Sequence, residues 1–215
     1  HQKILEEGPW LTEEERNEIG ARVVAGAEAI GYQGLATFEF LRSKDGDFYF
    51  MEVNPRVQVE HTVTEMITGI DLVSLGIIVS SGADLSISQD QVTLNGHAIQ
   101  ARINAENPVS LEPSPGKLWE CHWPGGPGVR VDSHGFTGYD MPGAFDSLLA
   151  KIIAWAPTRE QAISKLDSAL DETILLGVDT LIPLHRAILG EKDFIERKIT
   201  TDYLVEHPGL LSGGA

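Results

Sequence analysis

FEFLRSKDGDFYFMEVNPR, residues 38 to 56, consists of two apolar runs on either side of Asp45-Gly46. Asp-Gly is a preferred pair for a two-residue type I′ turn, so the stretch predicts an antiparallel β-hairpin. With Asp45 and Gly46 as the loop, Lys44 faces Asp47, Leu41 faces Phe50, Phe40 faces Met51 and Glu39 faces Glu52. Side chains alternate between faces with period two. Thr37, Glu39 and Leu41 then share a face with Phe50, Glu52 and Asn54. Two carboxylates directly opposite each other in a sheet repel. Either they stand in water on a solvated face, or they share a cation. The oxygen-only set of Glu39, Glu52 and the Asn54 amide suits a hard ion such as Mg2+ or Mn2+.

The residues beyond the hairpin continue the pattern. MEVNPRVQVEH carries Glu52, Asn54, Arg56, Gln58 and Glu60 at strict alternation. In an extended segment all five point one way, and Met51, Val53, Val57 and Val59 point the other, as a buriable face. A face of acid, amide, cation, amide and acid can hold a metal at one end and an anion at the other. Arg56 suits bidentate capture of a carboxylate or bicarbonate, and Glu60 beside it is placed for general-base work. The plain alternative is an exposed strand laced by salt bridges.

The chain has 215 residues, enough for one sizeable domain or two small ones. Its 42% apolar content is that of an ordinary globular protein. Lys and Arg number 16 against 32 Asp and Glu, a formal charge of −16. That balance argues against nucleic acid or an anionic membrane as the main partner. One cysteine, Cys121, excludes an internal disulfide framework and a multi-cysteine metal site, and a reducing, cytoplasmic setting is the default expectation. No apolar run approaches a membrane span, and no signal-peptide pattern opens the chain. It begins at His1 rather than Met, which suggests a fragment, a product of proteolysis or the remainder of something longer.

Around the hairpin, LTEEERNEIGARVVAGAEAIGY predicts a helix, with Thr12 and Glu15 as a capping box, an acidic first turn, and Gly31 and Gly34 as stops. Thr62 and Glu65 predict a second capping box before VTEMITG, and DLVSLGIIVSSG predicts a helix ended by Gly82. GHAIQARINAEN alternates as a strand. Residues 108 to 146 hold most of the Pro and Gly clusters, with short strand-like runs KLWECHW and GVRVDS between them. DSLLAKIIAWA is a buried strand or a short helix, with strand preferred. Thr158 and Gln161 cap the helix TREQAISKLDSALDET, and DTLIPLHRAIL is α-rich. This order of elements predicts an α+β fold. Cys121 reads as a small buried or half-buried residue, and Trp119 and Trp123 as core or interface. His97, His122, His134 and His185 have no metal-site spacing.

MEVNPRVQVEHTVTEMITGIDLV closely resembles the signature of biotin carboxylases, the ATP-grasp enzymes that carboxylate biotin. GHAIQARINAENP, PSPGK and FDSLLAKIIAWAPTREQAISKLDSAL resemble further blocks of that family, and the likeness runs from His1 to about Leu210. It covers only the C-terminal half of such an enzyme. The resemblance implies the C-terminal part of an ATP-grasp domain, an antiparallel sheet with helices, over 1–94, followed by the β-rich biotin carboxylase C-terminal domain over 95–215. It implies that Glu39, Glu52 and Asn54 hold a divalent metal with ATP, and that His1, Lys3 and Leu41 contact the nucleotide. Lys3 would also touch the phosphate or bicarbonate side. Arg56, Gln58 and the Val59 backbone match a bicarbonate site, and Glu60 matches the base that deprotonates bicarbonate. Arg102 matches the arginine that steadies carboxyphosphate and the biotin enolate, and Asp146 lies near the biotin and dimer side.

The same resemblance implies the cofactors ATP, Mg2+ or Mn2+, and biotin borne on a separate carrier, since no Ala-Met-Lys-Met motif is present. The implied partners are a missing N-terminal half, which would bring the glycine-rich lid and most phosphate-binding lysines, a biotin carboxyl carrier, a carboxyltransferase and a possible second copy in a homodimer. The parent would be an acyl-CoA (acetyl-CoA, for fatty acid biosynthesis), pyruvate or urea carboxylase, cytoplasmic or in the mitochondrial matrix. Pro127 replaces an aromatic residue that some bacterial members carry at the dimer interface, while Arg130 is retained; the GAFD run is less aromatic than usual. Two other readings stand beside this one: a folded fragment with only a structural or dimerisation role, and a carbamoyl-phosphate synthetase half, against which VQVEH and ARINAEN argue.

Overall fold

The computed structural model describes residues 4–212. In chain order its elements are β1 (Leu5–Gly8), α1 (Glu13–Ala29), β2 (Thr37–Arg42), β3 (Phe48–Asn54), α2 (His61–Thr68), α3 (Leu72–Ser80) and β4 (His97–Asn104). They continue with β5 (Gly116–Lys117), β6 (Glu120–His122), β7 (Val129–Ser133), β8 (Asp140–Met141), β9 (Leu148–Ala156), α4 (Arg159–Glu172) and β10 (Ile174–Leu176). The chain ends in α5 (Ile182–Gly190), α6 (Lys192–Ile195) and α7 (Tyr203–Glu206). All strand pairs are antiparallel, so the class is α+β, as the order of elements predicts. One unit spans Pro9–Asn95; in the other, β1 joins the chain from Gly96 onward.

The second unit is built on a four-stranded sheet in the order β1-β4-β9-β7. DSLLAKIIAWA is a strand, and β9 pairs with β4 from His97↔Ala156 to Asn104↔Leu148. One face of these two strands (Ile99, Ala101, Ile103, Ile152, Ala154, Ala156) is packed by Ala162, Leu166, Ala169 and Leu170 of α4. Those four recur at helical spacing, one apolar stripe on an otherwise polar helix. Thr158 caps α4 by accepting from the Gln161 amide at 3.3 Å, as its sequence predicts. Gly96, just ahead of β4, takes φ +66°, where a Cβ would run into the Ala156 carbonyl, so no other residue fits there without distortion.

Two buried polar groups on this unit escape sequence reading. Glu7, on β1, accepts from Arg159 Nε at 2.7 Å and Arg159 Nη2 at 3.0 Å, and meets His97 Nε2 at 2.7 Å. Burial alone would raise the Glu7 carboxyl, but the bonds from His97 and Arg159 outweigh it and hold it below the ordinary carboxylate range. Arg159 also donates to the carbonyls of Ile195 and Phe194 and lies 4.9 Å over the Phe194 ring, which ties α6 to the start of α4. His185, on α5, is wholly buried and donates through Nε2 to the Arg102 carbonyl at 2.7 Å, while its Nδ1 has no partner.

Burial pushes the His185 imidazole down to about 4 from 6.5, with the bond to the Arg102 carbonyl opposing the shift. The folded protein thus keeps His185 neutral where the unfolded chain would already bind a proton. Stability is full above 6.5 and falls as pH drops toward 4. The whole loss is on the order of 3 kcal/mol. Glutamine at 185 retains an N–H for the Arg102 carbonyl and does not titrate. The melting temperature of His185→Gln should therefore fall less steeply than that of the wild type below pH 6.5. His207, raised by its bond to the Tyr203 carbonyl and by Asp193, is common to both proteins and cancels in the difference. Parallel curves would remove His185 as the cause.

In the unit Pro9–Asn95, α1 opens on the expected capping box: the Glu15 amide donates to Thr12 Oγ1 at 3.2 Å, and the Thr12 amide donates to Glu15 Oε2 at 3.0 Å. Arg42 of β2 reaches Glu15 Oε1 at 2.5 Å, and a Cβ on Gly26 would lie 3.9 Å from Phe38. The helix therefore runs along the Phe38/Phe40/Arg42 face of β2. The second capping box does not form. Thr62 lies inside α2 and is fully buried, and Glu65 Oε1 instead accepts from the Leu72 amide at 2.8 Å, linking α2 to α3. Asp71 caps α3 by accepting from the Ser74 amide at 2.8 Å. Among the described residues neither α1 nor α3 buries a side chain completely, and Val73, Ile77 and Ile78 of α3 are exposed.

Candidate functional site

The hairpin forms, but not with the predicted loop. The Ser43 amide donates to the Asp47 carbonyl at 2.8 Å and the Gly46 amide to the Ser43 carbonyl at 3.1 Å, leaving Lys44, Asp45 and Gly46 as a three-residue loop. Gly46 takes φ +96°, as the last position of such a loop demands. The register next to the loop is therefore one residue off the type I′ expectation: Leu41 pairs with Tyr49 and Phe40 with Phe50. A β-bulge between Glu39 and Phe40 then adds Met51 to the β3 side, and from there Glu39 pairs with Glu52 and Thr37 with Asn54. Two one-residue departures cancel, so the acids oppose each other as predicted. Phe50, however, lies on Phe40's face, with ring centroids 5.7 Å apart, and not on Leu41's. Leu41 is exposed.

The two acids are held by amides. Asn54 Nδ2 donates to Glu39 Oε1 and to Glu52 Oε1, both at 3.0 Å. Gln58 Nε2 donates to the same Glu39 oxygen at 2.5 Å. Gln58 is 93% withdrawn from solvent by its 7% exposure, and its Oε1 is buried with no partner. Arg56 Nη2 stands 3.4 Å from Asn54 Oδ1, and Nη1 donates to the Val57 carbonyl at 3.2 Å. The structure thus brings Glu39, Glu52, Asn54, Gln58 and Arg56 into one connected cluster.

It does so without the long alternating strand. β3 stops at Asn54, because Pro55 has no amide to continue a ladder. The chain then turns, and Val59 and Glu60 lead into α2, with Glu60 at its N-cap position (φ −82°, ψ 3°). His61 Nδ1 bonds the Gln58 carbonyl at 2.7 Å and fixes this corner. The supposed buriable face is not buried either: Met51 and Val57 are exposed. Arg56 lines a cleft of about 660 Å³ with Pro55, Val57, Tyr32, Leu35 and Ile77, and neither Gln58 nor Glu60 is among its lining residues. The expectation of one extended face running from Glu52 to Glu60 is therefore corrected. Gln58 turns inward to Glu39 because the corner at Pro55 breaks the period of two.

The donor set fits a hard divalent cation. Two carboxylates meet at one amide donor, which is the position a cation would take if Asn54 turned to present Oδ1. The orphaned Gln58 Oε1 supplies a further oxygen in the same cluster. Among the described residues no group of three His, Cys, Asp or Glu side chains gathers as a metal site, so a cation here would need the amides and ligands from outside the protein. His1 and Lys3 lie outside the described residues.

The other candidates belong to the second unit. Arg102, on β4, is paired to Glu6 at 2.5 Å, and its own carbonyl receives His185. Asp146 is exposed and caps the turn before β9 by accepting from the Leu148 amide at 2.8 Å. Cys121 is half-buried, and burial raises its thiol. Trp123 packs against the core, but Trp119 is 73% exposed and is not a core residue. Sequence reading missed Glu6; it is one of two adjacent acids on a short strand ahead of the helix, and becomes informative only once β1 is known to pair with β4.

The family Biotin carboxylase C-terminal domain matches residues 100–206, and the family Carbamoyl-phosphate synthase L chain, ATP binding domain matches residues 1–88. A biotin carboxylase of Haemophilus influenzae is 47% identical over 98% of this chain and 47% of its own length. A chloroplastic biotin carboxylase of Arabidopsis thaliana is 48% identical over 96% of this chain and 39% of its own length. The biotin carboxylase domain dimer of Hydrogenobacter thermophilus 2-oxoglutarate carboxylase, in complex with MgADP, ADP and bicarbonate, superposes with a TM-score of 0.96 at 43% identity, over 100% of this chain and 48% of that one. The chain spans about half the length of the relatives it matches.

Proposed function

Because the chain belongs to the biotin carboxylase family, we propose that it is the C-terminal half of a longer enzyme that uses ATP and bicarbonate to carboxylate biotin on a carrier protein. The observation that carries this reading is the Glu39–Asn54–Glu52 cluster: two acids kept in register by compensating irregularities, against the repulsion that register entails. Exposed apolar side chains on α3 favour a larger whole in which that helix is covered.

In this reading Glu39, Glu52 and Asn54 hold Mg2+ or Mn2+ carrying ATP. Bound there, the metal would supply neutralisation of phosphate charge for phosphoryl transfer to bicarbonate. Gln58 orients Glu39 through its 2.5 Å bond. Arg56 holds bicarbonate with the Val59 backbone, and Glu60 takes its proton. Arg102 steadies the anion that develops on the biotin ureido oxygen, with Asp146 on the biotin side. Leu41 lies toward the adenine, with His1 and Lys3 toward the nucleotide and phosphates. The division into an ATP-grasp segment, 1–94, and a C-terminal domain, 95–215, belongs to the same proposal. So do a biotin carboxyl carrier, a carboxyltransferase, a homodimer and a cytoplasmic location.

A second reading, a folded fragment without turnover, is favoured for residues 1–215 alone by their spanning about half of each relative. Phosphoryl transfer depends on positioned cations. Bicarbonate-dependent phosphate release separates the cases. The isolated chain should give none, and the parent carboxylase should turn over. Glu39→Gln in the parent should raise the metal concentration for half-maximal rate by at least about 10-fold, the low end of what losing a metal's supporting group costs. Unchanged metal dependence would remove Glu39 from the metal site, and turnover by the isolated chain would refute the fragment reading.

A further inference from the structure

The sheet of the second unit carries a row of charges in an unfavourable order. On the face that holds Gln100, β1 supplies Glu6, β4 Arg102, β9 Lys151 and β7 Asp132. Arg102 and Lys151 are direct partners across β4 and β9, and like charges so placed destabilise a sheet. Each is compensated from its outer side. Arg102 Nε and Nη2 both reach Glu6 Oε1 at 2.5 Å. Lys151 Nζ lies 3.3 Å from Asp132 Oδ2. The side chains of Glu6, Arg102 and Lys151 are only 14%, 16% and 12% exposed, so water screens them little.

Glu6 is itself fixed. Gln100, completely buried, donates through Nε2 to Glu6 Oε2 at 2.8 Å, while Oε1 takes Arg102. The carboxylate therefore has one oxygen anchored in the sheet and the other on the guanidinium. Arg102 is held at its backbone as well, where its carbonyl accepts from His185. A guanidinium held in this way, with the Lys151 ammonium directly across from it, would shift away from Lys151 if Glu6 lost its charge.

We infer that Glu6 is a positioning residue for Arg102: its carboxylate sets where the guanidinium points by balancing the repulsion from Lys151. This rests on the reading of Arg102 as the group that steadies the anion on biotin. A guanidinium that must meet a developing charge loses most of its effect when displaced by an ångström, a penalty of about 10²-fold.

The test uses Glu6→Gln, Glu6→Asp, Arg102→Ala and the double variant Glu6→Gln/Arg102→Ala in the parent carboxylase. Biotin carboxylation, bicarbonate-dependent ATP cleavage without biotin, and melting temperature are measured for each. Glu6→Gln should lower biotin carboxylation by about 10²-fold while ATP cleavage falls far less. Some loss of melting temperature is expected because the pair is largely buried, so rates are compared below the transition. Glu6→Asp, which keeps the charge at shorter reach, should recover part of the rate. The double variant should be no slower than Arg102→Ala alone, the mark of two groups acting as one.

Equal loss of both reactions in Glu6→Gln, or multiplicative losses in the double variant, would overturn the inference and leave Glu6 a structural acid. Full biotin carboxylation in Glu6→Gln with an inactive Arg102→Ala would overturn it while sparing the reading of Arg102. An active Arg102→Ala would instead overturn that reading, and the inference with it.

Discussion

Arg159→Met is expected to destabilise the unit built on β1, β4, β9 and β7 by about 3–5 kcal/mol, the usual result of stripping one partner from a buried ion pair. Arg159 and Glu7 have side chains 5% and 9% exposed, so the abandoned carboxylate cannot turn to water. It would keep only His97. Two carbonyls of α6 would lose the Arg159 donors in the same step, although that of Phe194 keeps the Arg197 amide. In a protein of this size about 1 kcal/mol moves the melting temperature by ~2–4 °C, so thermal unfolding should show a drop of roughly 10 °C.

Two further variants show which part of the interaction matters. Arg159→Lys keeps the charge but lacks the planar fork that spans both Glu7 oxygens and both carbonyls, and should lie between the wild type and methionine. Arg159→Met combined with Glu7→Gln removes the stranded charge while leaving His97 a partner, and should recover much of the loss. If the double variant is no more stable than Arg159→Met, the cost comes from the carbonyls of Phe194 and Ile195 and not from the buried carboxylate.

This network also marks the limit of what the sequence discloses. Glu7, His97 and Arg159 lie 90 and 152 residues apart from first to partner. Nothing local in LEEG or in the helix TREQAISKLDSALDET says that they meet. They meet because β1 adds to the edge of β4, a pairing across almost half the chain that no period or turn signal carries. Periodic features were legible for the opposite reason. The strand GHAIQARIN, the helix after Thr158 and the capping box at Thr12 depend on residues within a few positions of one another.

The hairpin stands between these cases. Asp45-Gly46 announced a turn, and the alternation of the flanking strands announced opposed acids. The loop length and the bulge at Met51 each shift the register by one, and neither is written in the pair Asp-Gly alone. Past Asn54 the alternation of polar residues was a sound pattern applied to backbone that is no longer a strand. Pro55 was the visible warning. The corner it makes turns Gln58 onto Glu39 and delivers Glu60 to the start of α2, so the same residues remain in play in a different arrangement.

Glu60 and Arg102 provide the second large expected effect, because they stand in different units on different supports: one at the N-cap of α2, the other at the centre of a buried sheet. If Glu60 is the base that activates bicarbonate, Glu60→Gln in the parent carboxylase removes a proton acceptor that both partial reactions need. Bicarbonate-dependent ATP cleavage and biotin carboxylation should then fall together, by about 10²–10⁴-fold, the range of general-base contributions. If Arg102 steadies the anion on biotin, it acts after carboxyphosphate has formed. Arg102→Ala should cut biotin carboxylation by about 10²–10³-fold, as loss of one donor to a developing oxyanion does, and should leave bicarbonate-dependent ATP cleavage largely in place. The competing account makes both residues structural. Arg102 has the stronger claim to that role, given Glu6 beside it and His185 on its carbonyl. In that case Arg102→Ala would lower the melting temperature and both reactions in proportion. A drop in biotin carboxylation well beyond the loss of stability, with ATP cleavage preserved, is the pattern that only a role in the second step produces.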